Sequence, residues 1–280
     1  MNYFSGRRLL IVTKHGKELV LKPLLEKGLN VKCTVTRDFD TDSFGMFSGE
    51  ISRKEDALNT VRNKCLAAMA RYNCDLAVAS EGSFGPHPAA FFASADDELV
   101  VLIDLKNDIE IVGRKLSMET NFAAKAIKDK TTFLEFLSQI KFPSHGIILK
   151  SKEFNASEIH KDIINELEAI RIFELILAEF GSVNVETDMR AMNNPMRMKV
   201  IQNATKNLVE KVNSLCPKCS LPGFSVTQSV KGLPCSACNL PTKSVLYLLK
   251  TCCKCDYSEK NYFPRNVKTE EPMYCDNCNP

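Results

Sequence analysis

The chain has 280 residues, of which 44% are apolar, and a formal net charge of +3. This length suits two domains, or one domain with an appendage, and the apolar share is enough for a sizeable core. No apolar run approaches the roughly 20 residues of a membrane helix, and the four consecutive apolar residues near the N-terminus are too few for a signal peptide. These features argue against a membrane-spanning or secreted protein and predict a cytoplasmic one.

The first 36 residues have the pattern of a βαβ unit. Residues 9–13 (LLIVT) form an apolar run of strand length, leucines at helical spacing follow as far as Gly28, and residues 31–36 alternate as a second strand. The connection after the first strand contains His15 and Lys17. At the mouth of a helix these two side chains would hold an anion together with the helix N-terminus. The alternative is that both are solvated turn residues.

A long irregular segment comes before the next helix. Residues 37–53 show no period and are rich in Asp, Ser and Gly, and long loops of this kind are more often functional than idle. Asp42 and Glu50 are its candidate ligand carboxylates. Ser52, with a glutamate three residues later, forms a capping box that predicts the start of a helix. Lys64 is on the polar face of that helix, which is either solvated or part of a site.

The segment 75–88, DLAVASEGSFGPHP, is central to the functional prediction. Its apolar run predicts a short strand that stops at Glu81, because glycines and prolines follow. In open α/β sheets ligands bind beyond the carboxyl ends of strands, so Glu81 and a glycine-rich turn suit a metal or a phosphate. Ser83 and His87 belong to the same turn. The alternative is that Glu81 caps a helix or forms a surface ion pair.

The chain continues as strands and helices. We expect a hairpin over residues 98–105 and 109–116, a helix over 121–140, a strand over 146–150, a helix from Ser157 closed by Gly181, a strand over 183–190, and a helix from Pro195 to about residue 212. Arg190 belongs to a dense charged cluster with Glu186, Asp188 and Arg197. Such a cluster serves either salt bridging or a phosphate clamp.

Three short motifs in the first half resemble those of the inosine/xanthosine triphosphate pyrophosphatases. They are the T-x-x-x-K spacing of Thr13 and Lys17, the sequence VRNKC at residues 61–65, and LAVASEGS at residues 76–83. The chain departs from that pattern at Lys14, where the family has Asn, and in the GPHP that follows the Glu81 motif. The resemblance implies a mixed α/β sheet with a cleft, a homodimer, and Mg²⁺-dependent cleavage of non-standard nucleoside triphosphates.

The same resemblance assigns roles to individual residues. Thr13 and Lys17 would contact the triphosphate, Lys64 would lie near the phosphates, Glu81 would bind the metal or its activated water, and Ser83 would contact the ligand. Asp42 and Glu50 are the further candidates for the carboxylate set. The full set of predicted site residues is catalytic Glu81, Lys17, Lys64 and Glu50, and ligand-binding Thr13, His15, Asp42, Ser83, His87 and Arg190.

Over its whole length the chain more closely resembles an uncharacterised bacterial family with a domain of unknown function. The shared patterns are DTD-x-F-G-x-F-S-G-E, E-G-S-F-G-P-H-P, E-T-D-M-R-A and the terminal C-x-x-C pairs. This resemblance implies no activity.

Eight of the twelve cysteines form four C-x-x-C pairs near the C-terminus, a spacing typical of zinc ribbons. We expect two structural Zn²⁺ ions, with each ribbon built from consecutive pairs. A crossed pairing, first with third and second with fourth, is the alternative. The ligands would be Cys216, Cys219, Cys235, Cys238, Cys252, Cys255, Cys275 and Cys278.

The predicted organisation is an α/β domain resembling nucleotide hydrolases over residues 1–213, which includes a helical continuation over 151–213, and tandem zinc ribbons over 214–280. The predicted function is Mg²⁺-dependent hydrolysis of a nucleotide or a related phosphate compound. The competing prediction is a non-catalytic protein that binds nucleic acid or protein through its ribbons. With two zinc ions bound, the ribbon region has a net charge near zero, which argues against strong binding to a phosphate backbone.

Overall fold

The computed structural model describes residues 3–36, 38–40, 56–151 and 159–280. The chain divides into two compact units, Met1–Val209 and Glu210–Pro280. Within the described residues, no helix is both long enough and apolar enough to cross a membrane.

The first unit contains a mixed five-stranded sheet in the order β2-β1-β3-β4-β5. Strands β2, β1 and β3 are parallel, whereas β3, β4 and β5 form an antiparallel meander. The elements are β1 Arg8–Val12, α1 Glu18–Leu29, β2 Lys32–Val35, α2 Ala57–Tyr72, β3 Leu76–His87, β4 Ala90–Asp104 and β5 Ile109–Ser117. The βαβ unit and the hairpin predicted from the sequence are therefore confirmed.

A second, antiparallel sheet in the same unit has the order β6-β9-β7-β8. Phe133 and Phe173 stack in its core, with their ring centroids 4.1 Å apart. The elements are β6 Ala124–Ile127, α3 Lys130–Gln139, β7 Ile147–Lys150, β8 His160–Ile163, α4 Glu166–Phe180 and β9 Val183–Thr187, followed by α5 Pro195–Asn213.

The two faces of the five-stranded sheet pack against different helices. On one face Ala77, Ala79 and Val101 pack against α2 through Cys65 and Ala68. On the other face α5 lies against β5 so closely that a Cβ atom at Gly113 would be 2.4 Å from the carbonyl oxygen of Ala204. Side chains that alternate along β3 and β4 therefore face different helices.

The prediction that the strand stops at Glu81 is wrong, since β3 continues to His87 and pairs with β4 along this length. Gly82 is a point of close approach and not a turn: a Cβ there would lie 2.3 Å from Glu98 Oε1 and 2.8 Å from Arg197 Nη2. A glycine within a strand can mark such an approach. The predicted phosphate-binding glycine turn does not exist in this hairpin.

Three helix starts also differ from prediction. The Ser52 capping box lies outside the described residues, and α2 begins at Ala57, where Asp56 accepts hydrogen bonds from the backbone N–H groups of Leu58 and Asn59. The helix predicted over 121–140 is the strand β6 followed by α3, which Asp129 caps, and the helix predicted from Ser157 starts only after β8 and is capped by Asn165. In each case an Asp or Asn N-cap marks the true start.

The start of α5 and the end of α4 agree with prediction. Asn194 Oδ1 accepts a hydrogen bond of 3.0 Å from the backbone N–H of Arg197, so Asn194 caps α5 and Pro195 is its first residue. Gly181 closes α4 in a left-handed conformation with φ +68°.

The second unit contains one three-stranded antiparallel sheet in the order β10-β11-β12. Its strands are β10 Ser225–Lys231, β11 Val245–Thr251 and β12 Ser258–Tyr262.

The packing of α5 on β5 predicts that Gly113→Ala lowers the free energy of unfolding by about 3 kcal/mol, because the added methyl group meets backbone atoms that cannot rotate away. Urea unfolding of the zinc-loaded chain measures this change. Gly85→Ala is the matched control, since a Cβ added at Gly85 would have no neighbour within 4 Å among the described residues, and it should change stability by less than about 1 kcal/mol. Equal stability of the two variants would contradict the described packing.

Candidate functional site

The eight C-x-x-C cysteines form two clusters in the second unit. One cluster consists of Cys216, Cys219, Cys252 and Cys255, and the other of Cys235, Cys238, Cys275 and Cys278. The sulfur atoms of Cys216 and Cys255 are 3.6 Å apart, and those of Cys238 and Cys275 are 3.7 Å apart. The chain therefore has two four-cysteine sites, as the spacing predicted.

The consecutive pairing preferred in the sequence analysis is wrong, and the crossed pairing is the one found. The reason is the antiparallel meander. The register pairs Ser225 with Thr251, which brings the C-x-x-C before β10 next to the one after β11. The register also pairs Tyr247 with Tyr262, which places the remaining two pairs at the other end of the sheet. The two sites thus share one sheet and are not separate ribbons.

The geometry of both clusters fits Zn²⁺. Four sulfur atoms at about 2.3 Å from a central ion in a tetrahedron are about 3.8 Å from one another, close to the separations of 3.6 to 3.9 Å found here. Backbone N–H groups of Cys238 and Ala237 lower the pKa of Cys235 to about 7. Hydrogen bonding with Cys238 raises the pKa of Cys278 to about 12, so a cation is needed for all four sulfurs to ionise. Because each set of four thiolates is complete, both sites are suited to structure and not to catalysis.

A buried charged cluster lies at one end of the parallel strands of the first unit. Val12 of β1 pairs with Ala79 of β3, so the residues that follow these two positions lie at the same end of the two strands. Lys64 Nζ, on α2, is 2.6 Å from Glu81 Oε2, and their side chains are 9% and 4% exposed. Lys64 and Glu81 therefore form a buried ion pair between α2 and β3.

Lys17 belongs to the same cluster. Its ammonium is buried and donates a hydrogen bond of 3.3 Å to the carbonyl oxygen of Ser80. Burial lowers the pKa of Lys17 to about 8, with a further lowering by Arg197, while Glu98 and Glu81 act in the opposite direction. The Lys17 ammonium therefore experiences charges from both faces of the β3–β4 hairpin.

A second buried ion pair occupies the opposite face of that hairpin. Arg197 Nε donates to Glu98 Oε1 at 2.6 Å and Arg197 Nη1 donates to the carbonyl oxygen of Met189 at 2.5 Å. The guanidinium carbon lies 5.1 Å from the centre of the Phe84 ring. The missing side chain of Gly82 leaves the space that Glu98 and Arg197 occupy.

Asp96 completes this second group of charges. Burial raises the pKa of Asp96 to about 8, the neighbouring Glu98 carboxylate adds to the rise, and Arg197 opposes it. Within the described part of the chain, Asp96 Oδ1 and Glu98 Oε2 are buried without a hydrogen-bond partner. A proton retained on Asp96 relieves the repulsion between the two carboxylates.

The other predicted site residues near the first cluster lie in the turn after β1 and along β3. Thr13 Oγ1 donates to the carbonyl oxygen of Lys14 at 3.0 Å, and His15 has a left-handed backbone with φ +67° in the turn after β1. Ser83 is half-buried and lies two residues beyond Glu81 along β3.

The remaining predicted residues lie elsewhere or outside the described residues. His87 is at the far end of β3, where its Nδ1 accepts a hydrogen bond of 3.1 Å from the backbone N–H of Ala89. The Arg190 guanidinium is bound by two carboxylates, Asp188 at 2.6 Å and Asp162 at 2.9 Å, which are salt-bridging contacts. Asp42 and Glu50 lie outside the described residues.

Sequence reasoning missed the group formed by Asp96, Glu98 and Arg197. The alternation of Asp96 and Glu98 in the segment SADDELVV places both side chains on one face of a strand, and this was the available signal. Nothing local connects them to Arg197, which is 99 residues from Glu98.

A family model for a domain of unknown function, DUF6671, matches residues 64–280. The chain belongs to this family. The part of the chain that matches the DUF6671 model includes Lys64, Glu81, Arg197 and all eight cysteines of the two clusters. No curated protein matches the sequence at a significant level. Membership in DUF6671 assigns no activity, so the function has to be argued from the site.

The crossed pairing predicts how zinc content responds to double substitutions. Cys216→Ser/Cys252→Ser alters two ligands of one site and should lower the zinc content from two ions to one per chain. Cys216→Ser/Cys235→Ser alters one ligand in each site and should lower the content below one. Mass spectrometry of the purified chains counts the ions. If instead Cys216→Ser/Cys235→Ser retained one ion and Cys216→Ser/Cys252→Ser retained fewer, the result would support the consecutive pairing and contradict the crossed one.

The raised pKa of Asp96 predicts a stability change with pH. Between the usual carboxyl pKa of 3.8 and about 8, the folded chain retains a proton that the unfolded chain releases, so the free energy of unfolding falls as pH rises. Asp96→Asn removes this titration, and its stability relative to the parent should rise steadily from pH 5 to pH 8 in urea unfolding. Asp97→Asn, which loses a partly exposed ion pair with Arg114, is the control and should show a much smaller rise, because Asp97 is a lesser contributor to the raised pKa of Asp96. A constant difference between Asp96→Asn and the parent would contradict the titration.

Proposed function

We propose that the protein is a Mg²⁺-dependent hydrolase of a nucleotide or a related phosphate compound, with a pyrophosphatase-like reaction. One observation carries this proposal: Lys17, Lys64 and Glu81 are far apart in sequence yet lie together in the interior beside the carboxyl end of β1, where the parallel pairing of β1 with β3 ends. Ligands of open α/β sheets bind at such ends.

The two lysines are suited to receive a polyanion. An ammonium group has three hydrogen-bond donors, and among the described residues Lys17 uses one of them, on the Ser80 carbonyl. Lys64 neutralises Glu81 when no ligand is bound. A phosphate ligand accompanied by Mg²⁺ would give each member of this ion pair a new partner, the phosphate for Lys64 and the cation for Glu81.

Glu81 fits the ligand set that Mg²⁺ prefers. Magnesium is usually held by one or two protein carboxylates together with substrate phosphates and water, so a single buried carboxylate beside two lysines is a reasonable protein contribution. Asp42 and Glu50 remain predicted additional ligands. When bound, Mg²⁺ would neutralise charge on the phosphate oxygens and orient a water molecule.

The likeness to inosine/xanthosine triphosphate pyrophosphatases adds support. The order β1-α1-β2-α2-β3 agrees with the order of the matching motifs, and Thr13, Lys64 and Glu81 occupy a strand end, the neighbouring helix and the next strand. Thr13, His15 and Ser83 are the neighbouring polar side chains for contacts to the nucleotide. A homodimer belongs to this proposal through the same likeness.

The second candidate function is binding of nucleic acid or protein by the zinc-binding unit. The observation in its favour is an aromatic and basic surface on the sheet: the ring centroids of Tyr247 and Tyr262 are 5.0 Å apart, and Lys260 Nζ lies 4.9 Å from the centre of the Tyr247 ring. Stacking on aromatic side chains is one way in which single strands are bound.

Hydrolysis is tested by measuring phosphate and pyrophosphate release from a panel of nucleoside triphosphates with Mg²⁺. Glu81→Gln and Lys64→Gln should each lower kcat about 100-fold or more, because each removes a charge that contacts metal or phosphate. Glu110→Gln is the matched control, since it breaks a partly exposed ion pair with Arg62 and should leave kcat unchanged.

Turnover that survives both Glu81→Gln and Lys64→Gln unchanged would contradict the proposed site. Absence of turnover on every compound, combined with salt-sensitive binding of single-stranded nucleic acid that Lys260→Gln weakens, would favour the second candidate function.

A further inference from the structure

We propose that a cavity between β5 and α5 is a separate binding site for a small organic phosphate. The cavity has a volume of about 620 Å³ and is formed by the end of β5, the end of β3, the loop after α3 and one face of α5. Its lining includes three lysines, Lys115, Lys141 and Lys199, and the polar side chains of His87, Ser117 and Asn203. This volume is in the range of small-molecule sites, about 300–1,000 Å³.

The net positive charge of the lining favours binding of an anionic ligand. Three ammonium groups face one carboxylate, that of Glu119, which gives the lining a formal charge of about +2. Glu119 Oε2 is 3.5 Å from Lys199 Nζ, and these two side chains are 79% and 67% exposed. Such an exposed ion pair is weak, so Lys199 can exchange Glu119 for a ligand at small cost.

The end of α3 positions Lys141 at the cavity. Lys141 has a left-handed conformation with φ +64°, which favours Gly or Asn over a longer side chain. Its conformation is fixed by hydrogen bonds, because its N–H donates to the carbonyl oxygen of Ser138 and its own carbonyl oxygen accepts from Ser144 Oγ at 2.6 Å. This is the common left-handed closure of a helix, in which the N–H of Phe142 also donates to the carbonyl oxygen of Leu137, and it fixes the backbone of Lys141 at the rim of the cavity.

The apolar part of the lining indicates an organic ligand. Leu116, Met118, Met196 and Val200 line the cavity together with the charged groups. Inorganic phosphate would use the lysines alone, whereas a phosphate ester of a small organic molecule would also cover these apolar side chains. The ligand class is therefore an organic phosphate with at least two negative charges.

The cavity is distinct from the cluster of Lys17, Lys64 and Glu81. Lys115 of the cavity is paired in register with Glu98 and therefore lies on the α5 face of the sheet, whereas Glu81 and its partner Lys64 lie on the α2 face. The inference therefore goes beyond the proposed hydrolase function and does not depend on it.

Isothermal titration calorimetry of the zinc-loaded full chain with adenosine monophosphate tests the site, with inorganic phosphate as the comparison ligand. The titrations are made in the Lys64→Gln background, in which the first cluster has lost a phosphate-binding charge. Lys115→Gln/Lys141→Gln/Lys199→Gln should weaken binding of the monophosphate about tenfold and reduce the dependence of affinity on salt. Lys27→Gln/Lys128→Gln/Lys206→Gln replaces three exposed lysines outside the cavity and should leave the affinity within about twofold.

Two results would overturn the proposal: the same affinity in the cavity variant and the control, or no binding of the monophosphate at millimolar concentration in the Lys64→Gln background. Inorganic phosphate that binds as tightly as the monophosphate would contradict the organic ligand class. If the triple variant does not fold, the titration is repeated with the single variant Lys141→Glu, which reverses one charge at the rim and should also weaken binding of the monophosphate. If Glu81→Gln abolishes hydrolysis but the cavity still binds the monophosphate, the two sites are independent, and the cavity site stands or fails apart from the proposed function.

Discussion

The ion pair between Lys64 and Glu81 is the constraint on which the candidate site depends. Both side chains are almost entirely removed from water, and the desolvation of two charges usually cancels most of their attraction. An apolar pair of similar volume would hold α2 on β3 at least as well. Loss of one partner, in contrast, leaves an uncompensated charge in the core. The proposed function would account for such a pair, because a phosphate and Mg²⁺ would give each of the two charges a new partner.

The β3–β4 hairpin gives this ion pair a counterpart on its other face. Glu81 faces α2, and Glu98, which is paired in register with Gly82, faces α5 and binds Arg197. The period of two along a strand separates the two ion pairs, so they do not compete for partners. Lys17 is affected by charges of both pairs, which makes its ammonium the point where the two faces are electrostatically coupled. A ligand that alters one pair therefore changes the field at the other.

Local signals in the sequence predicted the elements that depend on local physics. The apolar strand before Thr13, the Asn194 cap of α5 and the left-handed Gly181 are all properties of a few adjacent residues. The end of β3 was mispredicted because Gly82 has no local reason to be in a strand; its reason is the approach of Arg197 from α5. The contact between Lys64 and Glu81 was expected only through a resemblance, and nothing in the sequence indicated that Glu98 binds Arg197.

The pairing of the cysteines shows how topology decides what spacing alone leaves open. Four C-x-x-C pairs that alternate with three strands of one meander must meet as first with third and second with fourth, because successive connections lie at opposite ends of the sheet. One cluster therefore joins the segment before β10 to the segment after β11, and the other joins the segment after β10 to the segment after β12. The strands between them are exposed or half-exposed, and four of the buried residues of this unit are cysteines at the two ends of the sheet. A single layer with so small an apolar core would gain its stability from metal bound at the two clusters, so we expect folding of this unit and zinc binding to be one equilibrium.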